Sequence, residues 1–361
     1  MTTWNFSSGP AILPRPVVEK AAAAVLDFKE SGIGVLECSH RSKRYEPVVA
    51  SAEARLRKLM GISDEYAEYA VVFVQGGASL QFAQIPMNIL GQDDVADYVD
   101  TGTWASKAIK EAKLFGKVNV VASTKKEDGT YSSIPTGIKA TPGAKYMHIT
   151  SNNTIFGTQW KQFPDVEIPL VADMSSDICS RVIDVNKFGV IYAGAQKNLG
   201  PSGVTVVIVR KDLLGKVDRK IPTMLDYKTH IDNGSMFNTP PAFGIFVLDL
   251  VLQWLEENGG IPAMEAKNKA KAAKLYAEID RNPLFKGTVD VADRSDMNVC
   301  FIPVNKEHEA PFKALGLERG FVDFTGHRSV GGFRASIYNA MPEAGIDAMI
   351  QAMQDFEKSL A

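Results

Sequence analysis

The chain has 361 residues, of which 45% are hydrophobic and 23% charged, so it can bury a large core and, by its length, form two domains. A net charge of -2 excludes the basic field that nucleic-acid binding needs, and an anionic substrate would have to be held by locally placed arginines. Three cysteines without a C-x-x-C pair argue against a disulfide framework or a zinc site, and they favour a reducing cytoplasm.

No targeting or membrane segment is expected. The stretch Met1 to Phe6 lacks a basic segment followed by an apolar one, so it does not resemble a signal peptide. The longest apolar run, Phe243 to Leu255, contains Asp249 and is too short to span a bilayer, so it predicts a buried helix.

Apolar runs alternate with helix-like segments through the first two thirds of the chain. The strand Tyr69 to Val74 precedes a helix Leu80 to Leu90, and the strand Val95 to Val99 precedes a helix Ala105 to Phe115. This alternation predicts an α/β domain with a large, mainly parallel sheet. Five further runs bring the sheet to about seven strands: Val118 to Ala122, Tyr146 to Thr150, Ile168 to Ala172, Val190 to Ala193 and Val204 to Val209.

A glycine-rich turn, Gln75 to Ser79, follows the first of these strands and opens a helix. Paired glycines there would let backbone N–H groups converge on a phosphate at the helix N-terminus, although a plain tight turn fits equally well. The turn matches neither G-x-x-x-x-G-K-[ST] nor G-x-G-x-x-G, so it does not indicate an NTP or dinucleotide site. After the next strand, Trp104 could lie flat on a cofactor ring or pack in the core.

An acid and a lysine follow two later strands. Asp173 ends the run Ile168 to Ala172, and Lys197 lies in a glycine-rich turn after Val190 to Ala193. A carboxylate at a ring nitrogen and an amine at an aldehyde are the two groups that a pyridine-aldehyde cofactor requires. Either residue alone is equally typical of a solvated loop charge.

Two Arg-His clusters lie far apart in the sequence. The first is His40 with Arg41, and the second combines His327, Arg328 and Arg334. Guanidinium groups form paired bonds with carboxylates and phosphates, so the clusters are candidate clamps for an anionic substrate, although solvated loop charges are an alternative.

The alternation of strands and helices ends near residue 260. A long helix, Ile261 to Ile279, is followed by the strands Asn298 to Pro303 and Phe333 to Tyr338 and by a closing helix, Ala344 to Ser359. This pattern predicts a smaller α+β domain. We therefore expect a large domain over residues 16–260 and a small domain over residues 261–361, which the N-terminal segment 1–15 joins.

Together these segments resemble the phosphoserine aminotransferase family, which belongs to the fold-type-I, class-V aminotransferases that use pyridoxal 5′-phosphate. The resemblance extends through almost the whole chain, from Asn5-Phe6-Ser7-Ser8-Gly9-Pro10 to Arg334-Ala335-Ser336-Ile337-Tyr338-Asn339. Between these ends lie Ser39-His40-Arg41, Gly76-Gly77-Ala78-Ser79, Thr103-Trp104, Asn152-Asn153-Thr154, Asp173-Met174-Ser175-Ser176, Gln196-Lys197-Asn198 and Phe237-Asn238-Thr239.

The resemblance assigns roles around the cofactor. It implies that Lys197 forms a Schiff base with pyridoxal phosphate, that Asp173 pairs with the ring nitrogen, that Trp104 stacks on the ring and that Thr154 adds a polar contact. The groups implied to hold the cofactor phosphate are Ala78, Ser79 and Gln196, joined by Asn238 and Thr239 from a partner subunit. The resemblance therefore implies a homodimer with shared active sites.

The resemblance also implies the substrates. Arg334 would bind the α-carboxylate, and the distal phosphate or carboxylate would contact His40, Arg41, His327 and Arg328. The implied reaction moves the amino group of glutamate to 3-phosphohydroxypyruvate, giving phosphoserine and 2-oxoglutarate by a ping-pong mechanism in serine biosynthesis. No metal ion, nucleic acid or membrane is implied.

Three alternatives remain. Another class-V aminotransferase, using alanine or serine with glyoxylate, would need less positive charge at the distal end of the pocket. A cysteine desulfurase would need a mobile loop cysteine, and none of Cys38, Cys179 and Cys300 has an obvious setting of that kind. A silent regulator that binds the cofactor would normally carry a DNA-binding domain, and no such domain is visible.

Overall fold

The structure, a computed structural model, describes residues 2–328 and 330–360. The first half of the chain forms β1 (Trp4–Asn5), α1 (Arg15–Leu26), α2 (Glu46–Met60), β2 (Tyr69–Val74), α3 (Gly77–Ile89), β3 (Val95–Asp100), α4 (Thr103–Ala112), β4 (Lys117–Ser123), β5 (Met147–Thr150), β6 (Asn152–Asn153), β7 (Thr158–Gln159) and β8 (Leu170–Asp173). The second half forms β9 (Phe188–Gly194), β10 (Thr205–Arg210), α5 (Tyr227–Asp232), α6 (Ala242–Glu257), α7 (Gly260–Arg281), β11 (Phe285–Gly287), β12 (Asn298–Pro303), α8 (Glu309–Glu318), β13 (Phe321–Val322), β14 (Phe333–Ser336) and α9 (Glu343–Leu360).

A seven-stranded sheet forms the centre of the molecule, in the order β2-β10-β9-β8-β5-β3-β4. Strand β10 is antiparallel to both of its neighbours, and the other pairs are parallel. The carboxyl ends of every strand except β10 therefore meet at one edge. In open α/β sheets this is the edge at which ligands bind, and the prediction of a large, mainly parallel sheet is confirmed.

Apolar helices cover both faces of the sheet. Helix α6 is mostly apolar, and it packs with α1 and α2 on one face of the sheet. Helices α3 and α4 pack on the other face. Burial on both faces explains why the central strands are mostly apolar along their length instead of alternating between apolar and polar residues.

A separate apolar cluster belongs to the C-terminal part of the chain. A three-stranded sheet in the order β11-β12-β14 packs against helices α7, α8 and α9, and its core is rich in phenylalanine. The N-terminal strand β1 pairs in parallel with β13, and Phe6 lies in the same cluster. The division at residue 260 and the joining role of residues 1–15 stay predictions.

Several element boundaries differ from those predicted. Helix α3 begins at Gly77 instead of Leu80, because Gly76 takes a positive φ of 91° and lets the chain turn into the helix directly. Strand β14 ends at Ser336 instead of Tyr338, because the following carbonyls turn away from the sheet toward a buried lysine on α7. Among residues 2–328 and 330–360, no helix is both long enough and apolar enough to cross a membrane.

Candidate active site

A cavity of about 270 Å³ opens at the carboxyl edge of the central sheet. Residues from five strand ends, from the N-terminal segment and from the C-terminal part of the chain surround it: Ser8, Gly9, Gly77, Ala78, Ser79, Trp104, Thr150, Asn152, Thr154, Ile155, Asp173, Ser175, Ser176, Gln196, Lys197, His327 and Arg334. Residues that are remote in the sequence thus converge where parallel strands end.

Lys197 lies just beyond β9, and its amine is enclosed. The pKa of Lys197 is lowered to about 8, mainly by burial and in part by the charge of Arg334, although the negative charges of Asp173 and Asp177 act in the opposite direction. Its Nζ donates a hydrogen bond of 2.9 Å to Oγ1 of Thr154. A fixed amine with a pKa near neutrality can act both as a nucleophile and as a proton carrier.

Asp173 ends β8 and lies fully buried beside this amine. Burial raises the pKa of its carboxyl group, although hydrogen bonds from Ser175 and the charge of Lys197 lower it. The Ser175 amide and hydroxyl donate to Oδ1 at 2.9 and 2.6 Å, whereas no described residue donates to Oδ2. The carboxylate is thus held rigidly at the cavity wall with one oxygen available to a ligand that carries a proton or positive charge.

The N-terminus of helix α3 borders the same cavity. The first N–H groups of a helix have no partner within the helix, and no described side chain caps this one. Ala78 and Ser79 border the cavity at this end, and so does Gln196, which precedes the lysine. Free N–H groups and the helix dipole together suit a phosphate.

Trp104, in the first turn of α4, supplies a flat aromatic wall. Its Nε1 is buried and has no hydrogen-bond partner among the described residues. The helix approaches the cavity closely because Gly102 has no side chain; a Cβ there would lie 2.6 Å from Oδ1 of Asn153. The Lys107 ammonium lies 4.5 Å from the centre of the indole ring.

Arg334 enters the cavity from β14 and is buried. Its Nη2 donates to Oγ of Ser8 at 2.8 Å, and its Nη1 donates to the carbonyl oxygen of Thr154 at 3.4 Å. Its Nε has no partner among the described residues. The guanidinium is thus fixed from two sides with donor capacity left for an anion.

His327 and Arg328 lie at the mouth of the site. A second cavity, of about 370 Å³, is lined by both residues and shares Ser8, His327 and Arg334 with the first. Burial lowers the pKa of His327, and so do the positive charges of Arg334, Arg328 and Lys107. His327 is therefore neutral near pH 7, and the excess of positive charge at the mouth comes from Arg328 and Arg334, which outnumber Asp323.

The other predicted site residues lie elsewhere on the single chain. Nε of Arg41 donates to His40 at 3.1 Å, and Nη2 of Arg41 donates to the carbonyl oxygen of Phe237 at 3.4 Å. Asn238 and Thr239 follow this phenylalanine directly in the sequence. These residues form a second group that does not line the cavity of Lys197 within one chain.

The sequence interpretation assigned no role to several residues that border the cavity, among them Ser8, Gly9, Thr150 and Ser175. A signal was present for Ser175, because a serine two positions after an aspartate is typical of a local side-chain turn. Thr150 has a buried hydroxyl without a partner among the described residues, and nothing in its apolar strand indicated this.

The residues present fit the pyridoxal phosphate that the resemblance implies. The Asp173 carboxylate suits a protonated ring nitrogen, the start of α3 suits a phosphate, and the amine of Lys197 suits an aldehyde. Trp104 adds an aromatic face to the same cavity.

Known proteins resemble this chain over its whole length. The family model for aminotransferase class-V matches residues 3–349. The phosphoserine aminotransferase of Flavobacterium psychrophilum is 51% identical over 360 residues, which cover 100% of both chains. Among solved structures, phosphoserine aminotransferase from Bacillus circulans subsp. alkalophilus matches with a TM-score of 0.95 and 49% identity, covering 100% of this chain and 99% of that one. The PLP-bound enzyme from Trichomonas vaginalis has a TM-score of 0.92 and 40% identity over 98% of this chain and 100% of that one.

Proposed function

Because the chain belongs to the class-V aminotransferase family, we propose that it transfers the amino group of glutamate to 3-phosphohydroxypyruvate, as a phosphoserine aminotransferase does. The transfer is reversible, gives phosphoserine and 2-oxoglutarate, and follows a ping-pong course. The observation that carries the proposal is the buried amine of Lys197, whose pKa is lowered to about 8 in a cavity that also contains a carboxylate and an uncapped helix N-terminus. The full-length similarity to enzymes of this name supports the choice of substrates.

Pyridoxal phosphate is the cofactor, and when bound it supplies an aldehyde carbon for amine exchange and a protonated ring that withdraws electrons from the substrate. Asp173 holds the proton on the ring nitrogen, and Ser175 keeps that carboxylate in place. Ala78, Ser79 and Gln196 bind the phosphate, and the indole of Trp104 supports the ring.

Lys197 moves the proton. With an amino acid bound in the cavity, the Lys197 amine would take the proton from the substrate Cα and hold it for return within the same cavity. A pKa of about 8 makes both the neutral and the protonated amine accessible near neutral pH, so the same group serves both steps. The hydroxyl of Thr154 keeps the amine inside the cavity meanwhile.

Cationic residues select the substrate. Arg334 binds the α-carboxylate that every amino acid carries, since it is buried in the cavity wall and is fixed by Ser8. His327 and Arg328 at the mouth bind the distal phosphate of phosphoserine or the side-chain carboxylate of glutamate. Arginine suits both groups, because its donors form paired bonds with either anion.

The enzyme is a homodimer with shared sites. Asn238 and Thr239 complete the cofactor phosphate site of the neighbouring subunit. His40 and Arg41 bind the distal anion of the substrate in that neighbouring cavity, since Arg41 is bonded to the residue before Asn238. This arrangement explains why four predicted site residues form their own group instead of lining the cavity of their own chain.

The cytoplasm is the proposed location. The three cysteines are unpaired and buried, which is typical of proteins that work in a reducing compartment. Their burial also argues against a cysteine desulfurase, which would need an accessible thiol; burial raises the pKa of the thiols of Cys179 and Cys300 to about 12.

Product formation tests the proposal. The purified holoenzyme is incubated with glutamate and 3-phosphohydroxypyruvate, or with alanine and glyoxylate, and amino-acid products are quantified. We expect phosphoserine in the first mixture and little product in the second. A Lys197→Ala variant should fold and form no product, because the Schiff-base partner and the proton carrier are both removed. Near-normal turnover by this variant, or preference for alanine with glyoxylate, would contradict the proposal.

A further inference from the structure

Helix α7 carries a buried lysine that lies outside the cavity. Lys271 is 5% exposed, and its Nζ donates to three backbone carbonyl oxygens, those of Ile337 at 3.0 Å, Tyr338 at 2.8 Å and Met341 at 3.1 Å. No described carboxylate forms an ion pair with it, and burial lowers its pKa to about 7. A buried ammonium without an anion is unfavourable unless its hydrogens are bonded, so these carbonyls must keep their positions around Nζ.

One turn earlier on the same helix, Asn268 contacts the same segment. Its Nδ2 donates to Oδ1 of Asn339 at 2.8 Å and to the carbonyl oxygen of Ser180 at 3.1 Å. The backbone N–H of Asn339 donates to Oδ1 of Asn198 at 3.1 Å, and its Nδ2 donates to the carbonyl oxygen of Cys179 at 3.0 Å. Asn198 is the residue that follows the cavity lysine in the sequence.

The segment 337–341 therefore connects the two cationic residues of the cavity. It directly follows β14, which carries Arg334, and through Asn339 it is bonded to the residue next to Lys197. Oη of Tyr338 also donates to the carbonyl oxygen of Ser8 at 3.0 Å, and Oγ of Ser8 accepts from Arg334. A shift of this segment would move the guanidinium and its support together.

We propose that Asn268 and Lys271 form a clamp on segment 337–341 that sets the position of Arg334 relative to Lys197. Both are positioning residues for binding of the substrate α-carboxylate. The inference rests on the proposed role of Arg334 in binding that carboxylate. A displacement of about 1 Å in a binding group can reduce catalytic efficiency by about 100-fold, so a distant clamp can have a large effect.

The first test is a Lys271→Met variant of the holoenzyme, compared with Lys267→Met, an exposed lysine one turn away on the same helix. Half-reactions with glutamate and with phosphoserine give an apparent Kd and a limiting rate constant for each. We expect Lys271→Met to raise both Kd values by a similar factor, on the order of tenfold or more, with a much smaller change in the rate constants. Lys267→Met should match the unaltered protein.

The second test asks whether the effect operates through Arg334. Lys271→Met is combined with Arg334→Met, and the same Kd values are measured. We expect Lys271→Met to add little to the Kd values of Arg334→Met, because a residue that acts only through Arg334 has no further effect once Arg334 is gone. Additive losses, or a loss confined to the rate constants, would overturn the clamp.

An Asn268→Ala variant covers the case in which Lys271→Met does not fold. It removes two hydrogen bonds and leaves the lysine in place, so we expect a smaller rise in Kd for both substrates, again absent in the Arg334→Met background. If Asn268→Ala has normal Kd values while Arg334→Met raises them, the clamp is overturned and the proposed role of Arg334 stands. If Arg334→Met leaves Kd unchanged, the proposed role of Arg334 is wrong, and the clamp is overturned with it.

Discussion

At the scale of single residues, the chemistry depends on how four influences on the pKa of Lys197 balance. Burial and the nearby Arg334 both favour the neutral amine, whereas the charges of Asp173 and Asp177 favour the ammonium. Burial is the largest of these, so the pKa falls to about 8. The pKa of the Asp173 carboxyl group depends on the same proximity, because burial raises it and the positive charge of Lys197 lowers it.

This balance predicts a pH dependence in the protein without cofactor. The neutral amine is the nucleophile, so modification of Lys197 by an amine reagent should increase with pH and reach half its maximal rate near pH 8. In an Asp173→Asn variant the charge that raises this pKa is gone, and the midpoint should move to lower pH. The modified peptide is quantified by mass spectrometry, with Lys197→Ala as the blank. A midpoint that stays above pH 10, or that rises in the variant, would contradict this description of the site.

The sequence predicts some site residues better than others for a physical reason. Lys197 and Asp173 each follow an apolar run, so their position at a strand end could be predicted from the neighbouring sequence. Ser8 and Arg334 are bonded across a sequence separation of 326 residues, and Lys271 reaches carbonyls 66 to 70 positions away. No local pattern encodes such contacts, so the support of the guanidinium became visible only in the folded chain.

At the scale of elements, the N-terminal segment and the turn after β9 approach each other closely. Gly9 has a φ of 136°, and a Cβ there would lie 3.3 Å from Cγ of Lys197 and 3.4 Å from Cγ of Gln196. The backbone of the following segment is joined to the same turn, since the N–H of Ala11 donates to the carbonyl oxygen of Gln196 at 2.9 Å. A glycine is required here both for the backbone conformation and for the space.

We therefore predict that Gly9→Ala impairs catalysis as well as stability. Backbone strain of about 1–3 kcal/mol is expected at such a φ, and the new methyl group should also displace the side chain of Lys197. Gly32→Ala is the matched control, because Gly32 has a φ of 77° and a Cβ there would have no atom within 4 Å. Both variants should have a lower Tm, but only Gly9→Ala should lose turnover, by about tenfold or more. Equal Tm losses with normal turnover in both would contradict this prediction.

The sheet was more predictable than the rest of the fold. All seven strands of the central sheet were predicted from apolar runs, and the signal is clearest where both faces are buried; the edge strand β4 is largely exposed and has only a short run of valines. The short strands β6 and β7 carry buried polar side chains such as Asn152 and Asn153 and have no such signal. Helices α1 and α2 were not predicted, although their apolar positions recur with a helical period.

At the scale of the whole molecule, the proposed dimer follows from incomplete sites. The group formed by His40, Arg41, Asn238 and Thr239 lies apart from the cavity in its own chain. If this group completes the neighbouring site, binding of the cofactor and association of the subunits must be linked thermodynamically.

Sedimentation with and without pyridoxal phosphate measures that linkage. We expect the cofactor to shift the monomer–dimer equilibrium toward the dimer, because a ligand bound by both subunits stabilises the assembly that provides both sets of contacts. An Asn238→Ala, Thr239→Ala double variant should show a weaker shift. A monomer that retains the cofactor and full activity at the assay concentration would refute the shared site.

The central claim is that one site, built around Lys197, exchanges amino groups with doubly anionic amino acids, and half-reaction kinetics test it most directly. The absorbance of the bound cofactor is followed after addition of phosphoserine, glutamate or alanine to the holoenzyme and to an Arg41→Met variant. We predict that phosphoserine and glutamate convert the cofactor far more efficiently than alanine, and that 3-phosphohydroxypyruvate restores the starting spectrum. In the variant the two anionic substrates should lose on the order of 2–5 kcal/mol of binding while alanine is little affected. An unchanged spectrum with glutamate and phosphoserine, or equal efficiency with all three amino acids, would contradict the account.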